Sequence, residues 1–190
     1  MKPGTAKLEF HPLTAERWKD LESLFGPRGA CAGCWCMFWK LPRPEFARRQ
    51  GEGNRRAFRK IVREGVVPGI LAYSGGKPVG WCAVEPRSAY PALARSRILA
   101  PVDDEPVWSV TCFYVARGWR RQGITVQLLR AALKHVRRRG GRIVEGYPVV
   151  PRPCHQSATA FAWTGFAPAF EAAGFSDCAG RKRPIMRRRA

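Results

Sequence analysis

No apolar run in this chain approaches the roughly 20 residues needed to span a bilayer, so no membrane helix is expected. The opening stretch MKPGTAKLEFHP lacks the apolar core of a signal peptide, which argues against export. No internal repeat or low-complexity linker divides the chain, and 190 residues are enough to bury a real core. A single domain over residues 1–190 is therefore expected. Seven cysteines are an odd number in a chain too long to need stapling. Reduced thiols and a cytoplasmic setting follow.

Acidic residues are scarce: 14 Asp and Glu stand against 34 Lys and Arg, a formal charge of +20. Such an excess attracts polyanions, whether nucleic acid, an acidic protein or a phosphate-rich cofactor. The arginines are scattered, with runs only at Arg137, Arg138 and Arg139 and in the tail RKRPIMRRR. Neither run has interleaved aromatics, the stacking platforms that single-strand binding uses. No specific nucleic-acid partner is expected, only weak attraction to phosphates.

What is present reads as alternating strands and helices around a hydrophobic fraction of 45%. LEFHPL reads as a strand, and Thr14 is placed to cap the helix TAERWKDLESLF ahead of Gly26. Pro44 suits the first turn of a short helix, and Asn54 is placed to cap NRRAFRKIVREG. GILAYSGGKPVGWCAV is a hairpin turning at Gly75 and Gly76. A Pro-rich connection leads to the strand VWSVTCFYV. Val126, Leu129, Leu133 and Val136 then share one helical face, stopped at Gly140 and Gly141. RIVEGYPVV is a further strand, SATAFAWTGFAPAFEAAGF a helix ending at Gly174, and the tail a last strand. The helix between VWSVTCFYV and RIVEGYPVV lets those strands run parallel, while the hairpin is antiparallel. An α+β fold on a mixed sheet results.

The segment ARGWRRQGIT joins VWSVTCFYV to its helix. A strand feeding an Arg-rich, Gly-containing turn into a helix start is an anion-binding geometry, because the first helical N–H groups lack partners and the dipole favours negative charge. Gly123 permits close approach of phosphates, Arg120 and Arg121 neutralise them, and Gln122 can hydrogen-bond.

Arg120-x-x-Gly123-x-Thr125 resembles the acyl-CoA signature of the GNAT superfamily of N-acyltransferases. It sits in the matching context of Phe113-Tyr114-Val115 before it and an amphipathic helix after it. FAPAFEAAGF resembles the closing helix of that superfamily, and CWCMFW, VWSVTCFYV, EGYPV and AWTG together resemble a bacterial subgroup of it. The resemblance implies a mixed, mostly antiparallel sheet splayed between two parallel strands and flanked by helices. It further implies transfer of an acetyl group from acetyl-CoA to a primary amine on a small molecule or protein. Phe113, Tyr114 and Val115 would bind the pantetheine arm. Arg120, Arg121, Gln122, Gly123, Ile124 and Thr125 would hold the pyrophosphate, with Thr125 standing where the family prefers Gly or Ala. A backbone N–H of Tyr114 or Val115 would stabilise the oxyanion. Dimerisation is common in the superfamily, so a homodimer is compatible. A basic nucleic-acid-binding domain, or an inactive CoA sensor, on the same fold is the alternative.

Two customary side chains are missing. Ungapped matching puts Trp163 and Phe170 at the closing helix's Asn and Tyr positions, and Ser109 where histone-modifying relatives carry a glutamate base. Glu145 and Tyr147, two apart on one strand, share a face toward the expected cleft and are the candidate base and acid. The competing reading pairs Glu145 with an arginine and makes Tyr147 a core aromatic with a satisfied hydroxyl. His155 is read as incidental.

CAGCWCMFW packs Cys31, Cys34 and Cys36 among three aromatics. A structural zinc site wants four ligands, and the further candidates Cys154, His155 and Cys178 are remote, so no metal is expected. No cationic partner for a reactive thiolate is evident locally. Trp35, Phe38 and Trp39 are left as the wall of an acceptor pocket, or as plain core packing.

Overall fold

A computed structural model describes residues 7–151 and 162–190. The strands are β1 (Leu8–Pro12), β2 (Gly69–Ser74), β3 (Lys77–Pro86), β4 (Val107–Val115), β5 (Ile143–Gly146), β6 (Ser176–Asp177) and β7 (Met186–Arg189). The helices are α1 (Trp18–Phe25), α2 (Arg43–Arg48), α3 (Glu52–Arg63), α4 (Pro91–Ala94), α5 (Ile124–Arg138) and α6 (Ala167–Ala172). These strands form one sheet in the order β1-β2-β3-β4-β5-β7-β6. β4 and β5 are parallel and the other pairs antiparallel, so the sheet is mixed and mostly antiparallel, as expected.

Strand alternation sends side chains to two cores. On one face, Ile70, Cys82, Val84, Val110 and Val144 meet Leu128, Leu129 and Val136 of α5 and Phe170 of α6. On the other, Leu71 and Trp81 meet Trp18, Leu21 and Phe25 of α1, Phe58 of α3, and Trp35 and Met37. The helical face predicted for α5 is thus the one it buries, with Leu129, Leu133 and Val136 all buried.

Three local expectations are corrected. Thr14 makes no side-chain cap, and a 3-10 turn (Ala15–Arg17) precedes α1. Asn54 lies inside α3, fully buried, where its Nδ2 donates to Gly33 O at 3.2 Å and Phe46 O at 3.4 Å. Its side chain braces a loop rather than capping a helix. The long closing helix is not formed in its described part. A 3-10 turn (Ala162–Thr164) is followed by Phe166 in extended geometry, bridged to Val149, and α6 begins only at Ala167 with Pro168 in its first turn. Pro168 has no N–H to extend a helix through that point. The rest of that expected helix, with Cys154 and His155, lies outside the described residues.

Candidate functional site

β4 is paired differently along its two edges. With β3 it pairs from Pro86↔Trp108 to Gly80↔Val115, but with β5 only from Val107↔Ile143 to Val110↔Gly146. The register to β3 shifts between Ala83 and Val84, leaving Thr111 as the extra residue of a bulge. Ala116 N donates to Val79 O at 3.0 Å. By the two-residue alternation of an antiparallel pair, the backbones of Cys112 and Tyr114 face β3, while those of Phe113 and Val115 face the opposite edge. Among the described residues no strand pairs with residues 111–115 on that edge. Tyr114 is not on the open edge; its ring packs edge-on against Phe25 at 5.5 Å.

The turn after β4 is built to leave donors free. Arg120 Nε donates to Val115 O at 3.0 Å and Gln122 Nε2 to Gly118 O at 3.0 Å, which ties the turn to the strand it leaves. Arg121 (φ 61°) and Gly123 (φ 73°) both adopt left-handed backbone, a conformation that costs a residue with a Cβ about 1–2 kcal/mol. Gly123 has open space where a Cβ would stand. The first intrahelical bond runs from Gln127 N to Gly123 O, so the amides of Ile124, Thr125 and Val126 precede it without intrahelical acceptors. Ile124 turns its side chain into the core, whereas Arg121 and Gln122 are exposed.

A row of polar side chains crosses the sheet below this opening. Glu85↔Ser109, Ser109↔Glu145 and Glu145↔Arg187 are direct cross-strand partners on β3, β4, β5 and β7, and such partners share a face. Glu145 is 0% exposed. Its Oε1 accepts from Arg87 at 2.8 Å and from the Tyr147 hydroxyl at 2.6 Å, and its Oε2 from Arg187 Nε at 2.7 Å. Tyr147, also 0% exposed, takes a further bond from Arg87 at 2.6 Å and shares a proton position with Ser109 at 2.8 Å. Burial, and then the Glu145 charge, push the Tyr147 phenol far above its ordinary range. Burial would lower Arg187, but its bonds to Asp103 and Glu145 outweigh that and raise it. Glu85 pairs with Lys40 at 2.5 Å, and burial raises its carboxyl despite that lysine. The sequence reading brought out Glu145 and Tyr147 but missed Lys40, Glu85, Arg87, Asp103 and Arg187. Only the alternative of a Glu145–arginine pair pointed toward them.

The three aromatics of CWCMFW separate. Trp35 lies in the core, 3% exposed, stacked on Trp18 at 6.2 Å and tilted against Phe25 at 5.6 Å. A Cβ on Gly29 would overlap its indole. Phe38 and Trp39 are half-buried; Phe38 meets Trp163 at 5.6 Å, and Trp39 packs beside Tyr90, Leu99 and Tyr147. Cys36 is buried and accepts from Trp81 Nε1 at 3.2 Å. Burial pushes the Cys34 thiol up to about 11, so it is not a thiolate at neutral pH. Among the described residues no three His, Cys, Asp or Glu side chains are grouped to hold a metal ion. A surface groove of about 480 Å³ between β1 and α5, floored by Phe10 and Ile70, contains none of the expected site residues.

A mostly antiparallel sheet that parts between its two parallel strands, with a helix start at the opening, is the architecture of an acyltransferase. Residues 35–161 match the profile of the Acetyltransferase (GNAT) family, and the chain belongs to that family. It is accordingly an acetyl-CoA-dependent N-acetyltransferase. Among solved structures it is similar to a GNAT-family acetyltransferase from Listeria monocytogenes, with TM-score 0.58 and 9% identity over 100% of this chain and 99% of that one. A GNAT-family protein from Desulfovibrio desulfuricans gives TM-score 0.54 and 15% identity over 96% and 99%. The aminoglycoside N-acetyltransferase AAC(6')-Iy, in complex with CoA, gives 0.52 and 13% over 93% of each chain. At these identities the likeness is one of fold. No curated protein sequence matches the chain significantly. No described helix is long and apolar enough to cross a membrane.

Proposed function

We propose that acetyl-CoA lies along the open edge of β4 with its pyrophosphate on residues 120–125, and that the acetyl group passes directly to an amine held over the Glu85–Ser109–Glu145 face. The observation that carries this reading is the unpaired β4 edge leading straight into the α5 turn. The residues present fit the cosubstrate. Among the described residues Phe113 and Val115 offer free backbone N–H groups, and the Phe113 C=O accepts only the Cys112 thiol at 3.8 Å. Gly123 leaves room for a phosphate, and the amides of Ile124 and Thr125 face it with the positive end of the helix dipole. Arg121 adds exposed positive charge, while Arg120 and Gln122 hold the turn in shape. The Thr125 hydroxyl adds a donor.

When bound, acetyl-CoA supplies the thioester that a neutral amine attacks. Phe113 and Val115 hold the arm as a neighbouring strand would, and an N–H of this edge stabilises the developing oxyanion. Val115 takes that role in preference to Tyr114, whose N–H faces β3.

Direct proton transfer by Glu145 and Tyr147 would need a carboxylate oxygen free to take a proton and a phenol ready to give one. Both oxygens of Glu145 are bonded and enclosed, and burial holds the Tyr147 proton tightly. We assign this pair to positioning: it fixes Arg87, Arg187 and Ser109 as the floor under the acceptor. Phe38 and Trp39 flank that floor as acceptor wall, while Trp35 stays in the core against Trp18 and Phe25. Since strands from β1 to β7 share one sheet, the whole of residues 1–190 is read as one domain, working in the cytoplasm that its odd cysteine count favours.

Gly123→Asp tests the assignment. It forces a side chain into left-handed backbone and sets a negative charge where phosphates approach, so calorimetry should show acetyl-CoA affinity falling by about 100-fold or more, equivalent to roughly 2.7 kcal/mol. Unchanged affinity in a folded variant would remove the phosphate site.

A further inference from the structure

The acceptor side of the sheet is one anion short. Three acids and three cations account for one another there: Lys40 with Glu85, Arg87 with Glu145, and Arg187 with Glu145 and Asp103. A fourth cation, Arg183, is half-buried beside them without a carboxylate. Its Nη2 donates only to neutral oxygens, Tyr147 O at 3.3 Å and Thr164 Oγ1 at 3.3 Å. Its Nε is enclosed and has no hydrogen-bond partner among the described residues.

No carboxylate side chain of the chain is in reserve for it. All 14 Asp and Glu lie within the described residues, since residues 1–6 and 152–161 contain neither type. Burial, unopposed by any acid, lowers the pKa of Arg183, as expected of a charge drawn from water without a counter-ion. A guanidinium is a planar fork that matches a carboxylate two bonds at a time. Of that fork, both Nη2 N–H groups are already donated and Nε is enclosed, which leaves Nη1 to meet a carboxylate.

Its location says which anion belongs there. Tyr147 ties Arg183 to Ser109 in the polar row. Thr164 ties it to the neighbouring Trp163, whose ring meets Phe38. Arg183 thus stands between the proposed acceptor floor and its aromatic wall. The cofactor's phosphates are proposed beyond Val115, six residues along β4 from Ser109, or about 20 Å at strand rise. The polar row that Arg183 joins through Tyr147 thus lies toward the other end of β4 from the proposed phosphates.

We propose that Arg183 is the specificity-determining residue for the acceptor, and that the acceptor is an amine bearing a carboxylate, of the amino-acid class, rather than a neutral or polycationic amine. The inference rests on the reading of the acceptor face given above. With Lys40, Arg87 and Arg187 already neutralised by Glu85, Glu145 and Asp103, Arg183 leaves this face with one uncompensated positive charge, which a polycation would not offset.

The test uses the full-length enzyme with matched pairs of amines, each a free amino acid and its carboxamide, together with a linear polyamine; acetyl transfer is followed by release of the CoA thiol. A charge-assisted bond predicts the carboxylate member favoured by about 10–100-fold in kcat/KM. Arg183→Gln should raise KM for that member by a similar factor, with little change in kcat and no change for the carboxamide. Arg183→Lys should restore part of the preference, which a merely structural arginine would not do. Equal or better use of carboxamides or polyamine, or a preference that survives in Arg183→Gln, overturns the proposal. If the wild-type enzyme binds acetyl-CoA by calorimetry yet acetylates no carboxylate-bearing amine, the acceptor inference fails and the cofactor site stands. If acetyl-CoA does not bind, both fail.

Discussion

The two halves of β4 are one strand put to two uses. Residues 107–110 are hydrogen-bonded on both edges, to β3 and β5, and carry Ser109 into a saturated, buried polar row. Residues 111–115 begin with a bulge, pair with β3 alone, and leave the Phe113 and Val115 backbones facing an edge that no described strand fills. Backbone polar groups withdrawn from water are nearly always paired; the first half is finished as scaffold, and the second is the proposed ligand half. In the scaffold half, charge is neutralised by specific side chains. In the ligand half, the proposed binding of acetyl-CoA rests on backbone donors, and Arg120 and Gln122 hold the turn.

Substitutions in the two halves should therefore fail in different ways. Glu145→Ala carries the largest expected effect. It leaves Arg87 and Arg187 facing each other without their shared carboxylate, and removing one partner of a buried ion pair costs about 3–5 kcal/mol. Chemical denaturation should show that loss; a change under 1 kcal/mol would mean the row is not the scaffold described. Val115→Pro comes next. Because the Val115 N–H faces the open edge, proline removes no bond to β3. The variant should fold, with acetyl-CoA affinity down about 10-fold, in line with one lost hydrogen bond of roughly 1.4 kcal/mol. Native affinity would show that this amide has no part in binding. Tyr147→Phe should do least. It deletes a hydroxyl shared by Glu145, Arg87 and Ser109, so stability should drop by about 1 kcal/mol, while turnover stays within about tenfold. A fall in the range of about 10²–10⁴, typical of a lost general acid or base, would return Tyr147 to the chemistry.

The contrast between the halves also explains what the sequence could disclose. Local signals were legible: the Gly75-Gly76 hairpin, the α5 face through Leu129, Leu133 and Val136, and a glycine turn at a helix start all lie within a few residues of each other. The turn that ends the second half of β4 was readable for that reason. The scaffold half was not. Arg87 and Arg187 stand 58 and 42 residues from Glu145, and with 34 Lys and Arg in the chain no pattern singles out which cations pair. Asn54 carried the residue type of a helix cap, but a tertiary contact to Gly33 claimed its side chain. The apolar run of FAWTGFAPAF hid the break before α6, where Phe166 bridges Val149 instead of turning. Arg183 was one arginine among many until the acids around it could be counted as spent.

The central claim is that the second half of β4 and the α5 turn form the acetyl-CoA site while the first half does not. Amide hydrogen exchange, read residue by residue by NMR with and without acetyl-CoA, measures it directly. Protection should rise at Phe113, Val115, Ile124 and Thr125 and stay unchanged at Trp108, Ser109 and Val110. Unchanged exchange at Phe113 and Val115 under saturating acetyl-CoA would contradict the account.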